Sequence, residues 1–124
     1  MNTSELRRAV EAVCREFEDR FPGTRWREPL PDRQVTSEDG KQLVLRIYDV
    51  TAEGTVLRLA DSTVIAELLA ENFTCLGFSQ PEVTGSPWGQ LVCRIGRDVD
   101  GATLEWRGWR GMRLWLDVPL HLWR

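Results

Sequence analysis

The residues best suited to chemistry crowd into the last nineteen of this chain, WRGWRGMRLWLDVPLHLWR, which hold four of its six tryptophans and four of its sixteen basic side chains. Indole rings and guanidinium groups supply broad contact area, cation–π stacking and charge-assisted hydrogen bonds, so the chemistry of such a tract is recognition. Strand alternation sorts its members: Met112, Leu114, Leu116 and Val118 share one face, while Arg113, Trp115 and Asp117 share the other. Trp106 is expected in the core, opposite Ile95 across a turn at Asp100-Gly101, with Leu104 opposite Arg97. Trp109 lies at a bend between Gly108 and Gly111, and Trp115 is expected to project among charged neighbours. Arg107, Trp109, Arg110, Arg113, Trp115 and Trp123 are therefore the candidate partner-binding residues. Between Trp106 and Trp115 stand three arginines and no acid, a patch that would suit an acidic partner protein, a second copy of the chain or a single-stranded nucleic acid. The opposing reading is that arginine stems simply cover the indoles and no partner is required.

Groupings that would break or make bonds are weak by comparison. Asp98, Asp100, Gly101 and Glu105 suggest a calcium loop, but aligning Gly101 with the loop glycine puts Gly96 and Arg107 where acids are needed. Gly77-Phe78-Ser79-Gln80-Pro81 has proline in place of the second glycine of a nucleophile elbow. His121 is the only histidine, which rules out a multi-histidine metal site, and no local feature supports a thiol–imidazole pair. The carboxylate pairs Asp49 with Glu53 and Asp98 with Asp100 fall in expected turns. No phosphate-cradling glycine motif is present. No catalytic residue, cofactor or metal is assigned.

The chain of 124 residues is 42% hydrophobic and 28% charged, the composition of one folded domain over residues 1–124. Its net charge of −3 is unevenly spread, with 6 basic and 4 acidic residues from 94 to 124, so attraction to nucleic acid should be weak and local. Acids and arginines interrupt the first twenty residues, leaving neither a signal-peptide core nor a membrane span, and a cytoplasmic location is the default. Cys14, Cys75 and Cys93 are odd in number and far apart, which predicts buried free thiols.

The elements that must hold the tract follow from periodicity. Leu6, Ala9, Val10, Val13, Cys14, Phe17 and Phe21 mark one face of a helix from about 4 to 20, capped by Thr3 or Ser4 and stopped by Phe21-Pro22-Gly23. After a proline-rich segment anchored by Trp26, a hairpin about Asp39-Gly40 joins RQVTSE to KQLVLRIYDV, and TVLRLA is expected as a third strand. In the second of these strands Leu43, Leu45 and Ile47 should face one side and Val44, Arg46 and Tyr48 the other. A second helix, STVIAELLAENF, is followed by a short strand TCLGF, a loop bearing Trp88, the QLVCRIGRDV/ATLEWRGW hairpin and the strand MRLWLDV. The expected architecture is α+β: an antiparallel, twisted sheet of about six strands carrying two helices on one face, in the order α-β-β-β-α-β-β-β-β.

In element order alone the chain resembles small bacterial interaction proteins such as secretion chaperones and toxin-immunity proteins, without matching any motif of theirs. The expected function is that of a non-catalytic module that binds another protein, as an immunity, adaptor or chaperone subunit does, with a homodimer as one form of that contact. Two alternatives stay open: a small-ligand-binding or enzymatic domain with a pocket between sheet and helices lined by Trp88, Trp109 and Tyr48, and single-stranded nucleic-acid binding through the tract.

Overall fold

The computed structural model describes residues 3–37, 39–85 and 89–120. Helix α1 (Ser4–Arg20) buries Leu6, Ala9, Val10, Val13, Cys14 and Phe17, the face marked by their spacing. Thr3 occupies the N-cap position, but its hydroxyl accepts from the Arg7 side chain instead of capping the backbone. The second helix, α2 (Ser62–Phe73), buries Ile65, Leu68, Leu69 and Phe73 and packs beside α1. Asp61 occupies the N-cap position of α2, but its carboxylate turns back to accept from the Arg58 backbone N–H in the preceding 3-10 turn.

The strands are β1 (Arg25–Trp26), β2 (Arg33–Thr36), β3 (Leu43–Glu53), β4 (Glu82–Gly85), β5 (Leu91–Gly96), β6 (Thr103–Gly108) and β7 (Met112–Pro119). They form one antiparallel sheet in the order β1-β3-β7-β6-β5-β4, with β2 also paired to β3. The expected α+β element order is met, although two strands differ in identity. Residues 55–58 are irregular and meet the sheet through a hydrogen bond from Leu57 N–H to the Trp109 carbonyl, while the unforeseen β1 pairs with the far end of β3. The segment expected as strand TCLGF instead forms a 3-10 turn at Thr74–Leu76, closed by Gly77 in the left-handed region. Propensity favoured a strand there, but the turn continues α2 directly and seats Phe73 edge-on against Phe78.

One sheet face and both helices enclose the buried cluster. Across β5, β6 and β7 the rows Cys93–Trp106–Leu114 and Ile95–Leu104–Leu116 stack side by side, and Phe17 of α1 lies on Trp106 with ring centroids 5.9 Å apart. Trp106 is thus core, as expected, but it faces Cys93. The β5–β6 turn spans four residues, with Arg97 N–H bonded to the Ala102 carbonyl and Asp100 accepting from the Ala102 N–H. That is a two-residue register change from a tight Asp100-Gly101 turn, and because strand side chains alternate with period two, it leaves every residue on its expected face.

Gly54 connects β3 to the irregular segment where side chains have no room. Its φ is +85°, and a Cβ there would come within 2.1 Å of the Gly23 carbonyl oxygen.

Candidate functional site

The sheet face away from the helices is a charged layer organised about Trp115. In the central strand β7, Arg113, Trp115 and Asp117 point to this face, with Arg107, Glu105 and Thr103 opposite them on β6. On β3 the partners are Thr51 for Arg113 and Arg46 for Asp117. Between them β3 carries a bulge: Ile47 pairs with Leu116 and Val50 with Leu114, so Tyr48 and Asp49 together oppose Trp115. Tyr48 absorbs the irregularity with a φ of +51°.

The bulge reverses the alternation of β3. Ile47, Val50 and Ala52 face the core, Tyr48 packs against the edge of that core, and Asp49 joins the charged layer. Simple alternation from Leu43 would have placed Tyr48 where Asp49 acts. Asp49 is 1% exposed and is held by two arginines: Arg113 donates through Nε and Nη2 at 3.0 and 2.9 Å, and Arg33 of β2 donates through Nη2 at 2.7 Å. Burial by itself would raise the Asp49 carboxyl, but the hydrogen bonds from Arg113 and Arg33, with their charges, hold it below the ordinary 3.8.

Trp115, expected to project, is 1% exposed. Its neighbours are charged, as the alternation implied, but they lie over the ring: the guanidinium carbons of Arg113, Arg46 and Arg107 stand 4.4, 5.0 and 5.4 Å from ring centroids of the indole. Each of these cations is fixed by a carboxylate. Arg46 grips Asp117 and both are buried, Arg107 donates from Nε to Glu105 at 2.7 Å, and Arg113 holds Asp49. Arg107 and Arg113 are directly opposite in register, and their repulsion is offset by those carboxylates and the indole between them. The centre of the face is therefore self-contained, the arrangement in which arginine stems cover the ring. Arg46, Asp49, Glu105 and Asp117 were not among the candidates. The cross-strand pairing of Arg46 with Asp117 needs the β3–β7 register, and the position of Asp49 needs the bulge.

The tract opens to solvent at one end of β6 and β7. Trp109 and Arg110 form the turn between them, Trp109 is 42% exposed, and the Arg110 guanidinium lies 4.8 Å from its ring. A cleft of about 420 Å³ is lined here by Gln90, Arg107, Trp109, Arg110 and Arg113 above a floor that includes Gly108 and Met112. Among the described residues the lining includes three arginines and no carboxylate. Val56 and Leu59, 70% and 66% exposed, flank in sequence the Leu57 whose backbone N–H bonds to the Trp109 carbonyl. The structure thus divides the candidates: Arg107, Trp109, Arg110 and Arg113 meet at the cleft, Trp115 is buried beside them, and Trp123 lies outside the described residues, as do His121 and Trp88.

The space between sheet and helices is filled by the buried cluster. Tyr48 is not part of the cleft lining; burial pushes its hydroxyl up to about 12, with smaller contributions from Cys14 and Glu11 of α1. Cys14 and Cys93 are buried, as expected, and burial raises both thiols to about 12. Cys75 departs from the expectation and is exposed, because the 3-10 turn carries it outward after α2 ends. Asp100 is hydrogen-bonded by Arg97 and by the Ala102 N–H, which accounts for it as a turn residue. Glu53 pairs with Arg27. No group of three or more metal-ligating side chains occurs among the described residues, and no described helix is long and apolar enough to cross a membrane.

Comparison with known proteins finds no family model, no curated protein and no solved structure that matches the chain.

Proposed function

We propose that the chain is a non-catalytic module that binds another protein through the Trp109 end of its sheet, acting in the cytoplasm by stoichiometric contact. One observation carries the reading: a half-exposed tryptophan stands on a turn held by the Trp109 N–H to Gly111 and Leu57 N–H to Trp109 backbone bonds, in the lining of a cleft with three arginines. Tryptophan and arginine dominate the energetics of protein interfaces, and anchors held in place before contact lose little entropy on binding. The contact surface is therefore centred on Trp109 and Arg110, with Arg107 and Arg113 behind them, and the buried Trp115 supports it from within.

The test is affinity capture from native lysate with the intact chain and a Trp109→Ala/Arg110→Ala variant side by side. A stoichiometric partner retained only by the intact chain is the expected result. Retention by both, or by neither, overturns the reading. If the partner is a second copy, sedimentation of the intact chain shows a dimer that the variant loses.

The volume of the cleft favours a second reading, in which it takes a small anionic ligand. Nucleic-acid binding has less support, since Asp49, Glu105 and Asp117 interrupt the arginines of the face and the chain carries a net charge of −3.

A further inference from the structure

Resting on the protein-binding reading, we infer that the cleft takes a short acidic segment of the partner, with a carboxylate among the arginines and an aliphatic side chain against Trp109. Charge complementarity gives the first half. Among the described residues the charged lining is Arg107, Arg110 and Arg113 with no acid, and the carboxylates nearest it, Glu105 and Asp49, are already engaged by Arg107 and Arg113, so a carboxylate entering the cleft finds net positive charge. Two of these guanidiniums are already oriented, Arg107 by Glu105 and Arg113 by Asp49, and both are more than a third exposed as side chains. Arg110 is different: it is exposed, its guanidinium lies over the Trp109 ring, and no carboxylate among the described residues pairs with it. An incoming carboxylate therefore engages Arg110 without displacing an ion pair of this chain.

The apolar half comes from the neighbours. Val56, Leu59 and Trp109 are three of the exposed large hydrophobic side chains, and the Leu57 to Trp109 backbone bond of 2.8 Å joins the segments that carry them. A basic cleft with the exposed Trp109 ring in its lining matches a segment that carries aliphatic residues beside its acids.

The experiment is an NMR titration of the whole isotope-labelled chain with five probes: a synthetic peptide alternating Glu and Leu, its Gln and Leu and its Lys and Leu counterparts, inorganic phosphate and a single-stranded oligothymidine. The Glu peptide is expected to shift the backbone amides from Gly108 to Arg113 and the Trp109 indole N–H. The Gln peptide should bind at least about tenfold more weakly, and Arg110→Glu should cost the Glu peptide a similar factor. A Lys and Leu peptide should gain affinity for that variant. Because Arg110 is exposed, resonances away from the turn should stay in place and report an intact fold. No shift at millimolar Glu peptide overturns the inference. So does phosphate that reproduces the same shifts at equal affinity, or oligothymidine that binds more tightly. A partner captured through Trp109 while the Glu peptide leaves the cleft unperturbed would retain the protein-binding function and remove the acidic segment.

Discussion

Arg113 and Asp49 meet through two hydrogen bonds of 3.0 and 2.9 Å although alternation along β3 alone would send Asp49 to the other face. The bulge at Tyr48 and Asp49 makes the meeting possible, and the buried carboxylate then anchors an arginine that both covers Trp115 and lines the cleft. The same ion pair thus holds an arginine over the buried ring and in the cleft lining.

Acid should loosen the protein through Asp49 and Asp100, whose carboxyls are both held below 3.8 by arginine and hydrogen-bond partners that outweigh burial. A depressed folded-state pKa contributes stability that is complete above the unfolded value and is lost as pH falls through the folded one. Urea midpoints should therefore be level above about pH 5 and decline below about pH 4. Asp49→Asn should lower the midpoint at neutral pH and flatten the acid limb. An acid limb of unchanged slope in that variant would remove Asp49 from this role.

Arg46 and Asp117 form the most enclosed ion pair of the charged layer, with side-chain exposures of 6% and 7%. Arg46→Ala strands the carboxylate and should destabilise by about 3–5 kcal/mol in urea denaturation, whereas Arg46→Met with Asp117→Leu should recover most of the loss. A double variant as weak as the single one would show that the pair itself, and not the stranded charge, is the source of the cost.

Trp115 and Trp109 should separate stability from binding. Trp115→Ala removes the ring beneath three guanidiniums and should cost about 3–5 kcal/mol, while Trp109→Ala should stay within about 1 kcal/mol of the parent chain and abolish partner capture. Equal thermal shifts in the two variants would contradict their different burial.

The three thiols should react unequally. In the folded protein an aromatic disulfide reagent should titrate Cys75 promptly, because it is exposed, and reach Cys14 and Cys93 only after denaturant is added, because both are buried and their thiols are raised to about 12. Prompt reaction of all three would mean that the packing around α1 and β5 opens readily.

Both helices were legible in the sequence because their apolar spacing repeats over several turns, and α1 runs from Ser4 to Arg20 as that spacing predicts. The core assignment of Met112, Leu114, Leu116, Val118 and Trp106 was legible for the same reason with a period of two. The α+β order followed from those patterns. Local pattern failed where tertiary partners chose among states of similar intrinsic energy: the 55–58 segment follows Trp109 instead of pairing as a strand, and TCL winds on from α2.

The candidate site divides along the same line. The sequence by itself determined that Arg113 and Trp115 would share one face of β7 with Asp117, since alternation is a property of a single strand. Which tryptophan is buried, which arginine is pinned, and that Asp49 lies among them depended on the β3–β7 register and its bulge, which bring side chains together across 64 positions of sequence. Such long-range pairing is set by the packing of the whole sheet on its helices, and no local spacing encodes it.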